Sequence, residues 1–194
     1  MSDHAAGAPT LDEIDEVLYL VRVNEAEELQ TYLDSLAQQY SSSVGTIIPE
    51  CVDPESGNTV LHYCAANGFA DLMPKLLQAV QTSHPGATNG DIPTHPFVNQ
   101  QNGQGNTALH WGALNGHLPI VKQLIEARAD MWVKNAAGHL AMFEAERAEK
   151  NEVVQYLLEA GGKEVENTGS EGLADVDMDS EATTLVEQEA EGSG

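Results

Sequence analysis

One twelve-residue pattern recurs along the chain and limits what the chain can fold into. It reads Gly105-Asn106-Thr107-Ala108-Leu109-His110-Trp111-Gly112-Ala113-Leu114-Asn115-Gly116. The same pattern stands upstream as Gly57-Asn58-Thr59-Val60-Leu61-His62-Tyr63-Cys64-Ala65-Ala66-Asn67-Gly68. A third, altered copy opens at Gly138, 33 residues after Gly105. A fixed period of this size marks a stack of small supersecondary units, none of which can bury its apolar face alone.

The residues of the central copy have mechanical reasons to stand where they do. Thr107 is suited to cap a helix that starts after a turn at Gly105, since its hydroxyl can serve an orphan amide of the first helical turn. Gly116 falls where that helix must end in a left-handed residue, a conformation that costs glycine no Cβ clash. Val121, Leu124 and Ile125 then repeat at the spacing of a second helix. His110, inside such a pair, is expected to bond backbone groups of a neighbouring repeat, because buried polar groups are paired.

These residues resemble the ankyrin repeat, whose pattern is Gly-x-Thr-Pro-Leu-His-x-Ala-Ala, then Gly-His, Val-x-x-Leu-Leu and Gly-Ala-Asp. Ala108 for Pro and Arg128 for Gly depart from it in the central copy. The resemblance implies an all-α solenoid with short β-turns or hairpins at the tips and about four repeats. It also implies a concave partner-binding surface made of hairpin tips and first helices. On this chain the positions are Glu55, Asn58 and Asn67 in repeat two, Asn106, Leu114 and Asn115 in repeat three, and His139 and Arg147 in repeat four. Tyr19, Tyr63, Trp111 and Glu144 share one equivalent position, a column on the inner face of the first helices. The column either fills space between repeats or forms a row of anchors for an apolar and basic segment, with aromatic faces open to Arg or Lys.

In chain order, residues 1–9 read as a flexible lead and 10–162 as the repeat domain. Its repeats are placed at about 10–40, 54–80, 102–134 and 135–162. Thr10 and Glu13 make a capping box before Ile14, Val17, Leu18 and Val21 at helical spacing, and Asn24 takes the left-handed position of Gly116. Residues 41–56 read as a polar connection with Pro49 and Pro54. A loop inserted at 80–97 holds Pro85, Gly86, Gly90, Pro93 and Pro96 and cannot continue a helix. Beyond it Asn102 lies 33 residues before Asn135, so the register returns. Residues 163–194, with ten acids, one Lys and no aromatic, have the composition of a disordered acidic tail.

Charge narrows the partners. Eight Lys and Arg stand against 31 Asp and Glu, a net charge of −23, which opposes direct binding to nucleic acid or anionic membrane and favours a basic protein. The first 162 residues alone hold 21 acids and 7 bases, so the folded part is acidic without its tail. No apolar run approaches a membrane span, and a soluble protein is expected. Cys51 and Cys64 lack a disulfide framework, which suits a reducing compartment. Neither they nor His62, His84 and His95 show nucleophile–base or zinc-ligand spacing, so no catalytic residue, metal or cofactor is expected.

The short repeats, the Gly-Asn-Thr-Ala-Leu-His-Trp segment, the stretch from Gly138-His139 to Phe143-Glu144-Ala145-Glu146 and the acidic tail resemble the small fungal ankyrin chaperones of ribosome assembly. The resemblance covers roughly residues 10–162. It implies a monomeric, non-enzymatic escort in cytoplasm and nucleus for a basic protein of the small ribosomal subunit, the universal KH-domain protein numbered three, held by its N-terminal region. An ankyrin adaptor that masks a transcription factor or recruits a complex is the alternative.

Overall fold

The computed structural model describes residues 8–81 and 96–169. Most of the 80–97 insertion, the first seven residues and the tail from 170 onward lie outside the described residues, as do the expectations placed on them. Among the described residues the elements are α1 (Leu11–Arg22), α2 (Ala26–Gln39), α3 (Val44–Glu50), α4 (Val60–Asn67) and α5 (Met73–Gln81). A 3₁₀ turn (Pro96–Asn99), α6 (Ala108–Asn115), α7 (Leu118–Glu126), α8 (Ala141–Arg147) and α9 (Asn151–Gly169) follow.

The first helices stack in one row, α1 on α4 on α6 on α8. The second helices form another, in which α3 packs on α5, α5 on α7 and α7 on α9. The core runs unbroken between the rows, from Leu18, Leu29 and Ile48 through Leu61, Met73, Leu109, Ile120 and Leu124 to Leu157. No single pair of helices could enclose these side chains, and stacking supplies the apolar burial that holds each helix.

Local chemistry sets where the helices begin and end. Thr10 and Glu13 close the expected capping box, with the Thr10 amide donating to Glu13 Oε2 at 2.7 Å. Glu13 also accepts from the Tyr40 hydroxyl at 2.6 Å and from Gln39 Nε2 at 2.8 Å, which ties the start of α1 to the end of α2. In repeats two and three histidine replaces Glu in the box. The Thr59 amide donates to His62 Nδ1 at 3.1 Å, and the Thr107 amide to His110 Nδ1 at 3.2 Å. Left-handed residues end the first helices as expected, with φ of +74° at Gly68, +78° at Gly116 and +61° at Asn24. Arg128 and Glu149 hold positive φ where the repeat pattern has glycine.

The stretch 41–56 is more than a polar connection, since α3 occupies its middle. Ser43 caps this helix by accepting from the Thr46 amide at 3.2 Å, and Ile47 and Ile48 are fully buried between α2 and α5. Pro49 sits in the last turn of this short helix and breaks nothing beyond it, and the burial of the two isoleucines outweighs its missing donor. The end of the solenoid also differs, since α9 continues through Gly161 and Gly162 to Gly169 instead of stopping at the glycine pair.

Candidate partner-binding surface

The hairpin tips are built from a repeated asparagine turn. The Asn102 amide donates to the Asn106 carbonyl at 2.9 Å, and the Asn135 amide to the His139 carbonyl at 2.9 Å. Inside each turn the asparagine Oδ1 accepts two amides: those of Gln104 and Asn106 for Asn102, and those of Ala137 and His139 for Asn135. Neighbouring tips are pinned together. Asn102 Nδ2 donates to Asn58 Oδ1 at 2.8 Å, Asn135 Nδ2 donates to Asn106 Oδ1 at 2.9 Å, and backbone bonds run from Gly103 to Ser56 and from Ala136 to Gln104. Asn58 and Asn106, expected as contact residues, therefore also hold the tips in line. Asn102 and Asn135, whose 33-residue separation marks the register, are the residues that sequence reasoning did not assign to this ladder.

Behind the tips the column changes character along its length. Tyr19 is 54% exposed and Glu144 only 6%, with Tyr63 and Trp111 half-buried between them. The Tyr63 hydroxyl donates to Asp53 Oδ2 in the preceding turn, and this bond is the main cause that holds the Asp53 carboxyl down at about 2. The Arg22 guanidinium stands 5.1 Å from the centroid of the Tyr63 ring, a cation–π contact supplied by the chain itself. Neither Asp53 nor Arg22 was legible as part of the site, since Arg22 comes from the neighbouring repeat and Asp53 from a connection whose register the sequence leaves loose.

Trp111 both packs on the core and lines a cleft of about 510 Å³. Asn106, Leu114, Glu144 and Arg147 line the same cleft, so five of the expected contact residues come together there. The indole Nε1 of Trp111 is buried with no acceptor among the described residues. The buried Glu144 is heavily hydrogen-bonded. Its Oε2 accepts from Arg147 Nη2 at 2.6 Å and Nε at 3.2 Å, and its Oε1 accepts from Asn135 Nδ2 at 3.0 Å and lies 3.0 Å from His139 Nδ1. Burial pushes the carboxyl up, but the bonds from Arg147, His139 and Asn135 outweigh it and hold it at about 2.

The remaining expected residues stand outside the cleft. Glu55 is exposed at its tip. Asn67 Nδ2 turns back to the Tyr63 carbonyl at 2.9 Å, and Asn115 Nδ2 bridges the carbonyls of Trp111 and Ala66 at 3.1 and 3.2 Å. The expected inter-repeat bond of His110 is present, its Nε2 donating to the His139 carbonyl at 3.1 Å. Both cysteines are buried, and burial pushes each thiol up to about 12, so each behaves as a small apolar side chain.

Two rows of stacked helices with pinned hairpin tips and a cleft on the tip side define a helical-repeat protein. The ankyrin-repeat family profile of three copies matches residues 32–135 and 92–168, and the chain belongs to that family. The ankyrin repeat-containing protein YAR1 of Saccharomyces cerevisiae is 42% identical over 128 residues, which cover 65% of this chain and 62% of YAR1. Among solved structures, a chain of the crystal structure of the yeast ribosomal protein Rps3 in complex with its chaperone Yar1 is 33% identical. It matches with a TM-score of 0.67, over 78% of this chain and 94% of that one.

Proposed function

We propose that this protein is a non-enzymatic, dedicated chaperone of a basic small-subunit ribosomal protein of the Rps3 type, which it keeps soluble and escorts from the cytoplasm to nuclear assembly of the 40S subunit. The observation that carries the proposal is the likeness, in sequence and in fold, to the Rps3–Yar1 complex structure. The physical setting agrees with it. A lone ribosomal protein is basic because it is made to lie on RNA phosphate, and it binds polyanions indiscriminately. An acidic solenoid with an aromatic and carboxylate cleft occupies that surface until RNA, with its denser row of charge, displaces it.

Titration of purified yeast Rps3 into the full chain, followed by calorimetry at low and moderate salt, tests this. A one-to-one complex that weakens as salt rises is the expected result. Absence of binding, together with capture of a transcription factor by the same chain, would establish the adaptor reading instead.

A further inference from the structure

Two of the four column residues, Tyr63 and Glu144, already hold a cation, and both cations are arginines of the chain itself. Of the eight Lys and Arg in the sequence only three are arginine. Arg22 lies over the Tyr63 ring, and Arg147 grips the buried Glu144 carboxylate through Nε and Nη2 on the wall of the Trp111 cleft. We infer that these two arginines are internal placeholders, and that the groove reads arginine side chains of its client, which displace Arg147 from Glu144 and Arg22 from Tyr63. The inference rests on the chaperone reading of the same surface and adds the chemistry it recognises.

Three features of the Glu144 site support displacement rather than permanent pairing; at Tyr63, Arg22 is further held by its Nε, which donates to the Leu18 carbonyl at 3.2 Å. A buried carboxylate left without a cation is costly, so an unliganded groove needs a resident partner for Glu144. Arg147 can leave cheaply, because its side chain is 59% exposed and reaches Glu144 from one turn along the same helix. The other partners of Glu144, Asn135 and His139, belong to the hairpin tip and keep the carboxylate aimed when Arg147 swings out. A guanidinium suits the vacated place better than an ammonium does, since it is planar, offers several donors to one carboxylate and stacks on an aromatic face such as Trp111.

The test measures binding of two labelled peptides, alternating Arg-Ser and alternating Lys-Ser of equal length, to the full chain and to the variants Arg147→Gln, Arg22→Gln and Glu144→Gln. Urea unfolding of each variant confirms that it is folded. The wild type should prefer the arginine peptide by about fivefold, as a charge-assisted forked contact implies. Arg147→Gln and Arg22→Gln should each tighten arginine binding by about threefold by removing the competitor, and Glu144→Gln should erase the preference. Equal binding of the two peptides by the wild type, or weaker arginine binding by both Arg→Gln variants, overturns the inference. Purified Rps3 as a third probe separates the two levels. Tight Rps3 binding without arginine preference sinks the placeholder inference alone, while arginine preference without Rps3 binding sinks the chaperone reading and leaves the cleft's chemistry standing.

Discussion

His62 joins two repeats through one ring: its Nε2 donates to the Asn106 carbonyl at 2.8 Å, and its Nδ1 accepts from the Thr59 amide at 3.1 Å. The arrangement requires the neutral tautomer protonated at Nε2. Burial lowers the His62 pKa from 6.5 to about 4, and burial lowers that of His110, which makes the same pair of bonds one repeat on.

Stability should therefore depend on pH through these rings. Between about pH 6.5 and pH 4 the unfolded chain takes up a proton at His62 that the folded chain refuses, so stability is full above 6.5 and falls as pH drops toward 4. The loss from His62 is on the order of 3 kcal/mol. The carboxylates Asp53 and Glu144, held at about 2, add a second decline that begins as pH falls through the ordinary carboxylate range and runs down to about 2. Urea midpoints of the wild type and of His62→Gln, in which Gln can still serve the capping box, provide the check. An equal slope between pH 7 and 4 in the two proteins would remove His62 from this role.

Gly105 and Gly138 separate backbone strain from crowding. Both hold left-handed φ, +74° and +79°. A Cβ on Gly105 would lie 2.6 Å from the Ala136 amide nitrogen in the next tip, whereas one on Gly138 meets nothing within 4 Å. Gly138→Ala should cost about 1 kcal/mol for the conformation alone. Gly105→Ala should cost about 3 kcal/mol or more, because the backbone of the adjoining tip must move. Equal midpoints in urea would contradict the tip-to-tip pinning.

Trp111→Ala should act mainly on binding. The indole is half-buried on the cleft wall, so its loss should weaken client binding by about 2 kcal/mol or more, as central aromatic anchors do. Its cost in stability should stay below the roughly 3–5 kcal/mol of a fully enclosed aromatic. Calorimetry and urea unfolding on the same preparation distinguish the two, and a large loss of stability with native affinity would return Trp111 to the core.

The sequence made the repeats legible where local chemistry and period agree. Gly57, Gly105 and Gly138 punctuate the tips, Thr10 and Glu13 open α1, and even Asn24 holds the left-handed place that the register assigns to it. It failed at α3, where Gly45, Pro49 and a serine run masked the helical spacing of Val44, Ile47, Ile48 and Cys51. The inner-face column was legible as equivalent positions, but its chemistry was not. The Arg22–Tyr63 contact joins segments that only the stacking of repeats brings together, and the Asn135–Glu144 bond ties a tip to the first helix of its own repeat, which needs the turn between them to be known. Glu144 and Arg147 were each placed on the binding surface, but nothing local shows that they pair or that one is buried and the other exposed.

Solubility of the client tests the central claim most directly. Purified yeast Rps3 would be held at moderate salt with an equimolar amount of the full chain, and the soluble fraction measured by sedimentation against the variant carrying Trp111→Ala and Glu144→Lys. The Glu144→Lys change places a cation where the client's own is received, so like-charge repulsion adds to the lost anchor. The wild type should keep Rps3 in solution as a one-to-one complex, and the folded double variant should not. Precipitation of Rps3 regardless of the wild-type chain, or equal protection by the double variant, would contradict that claim.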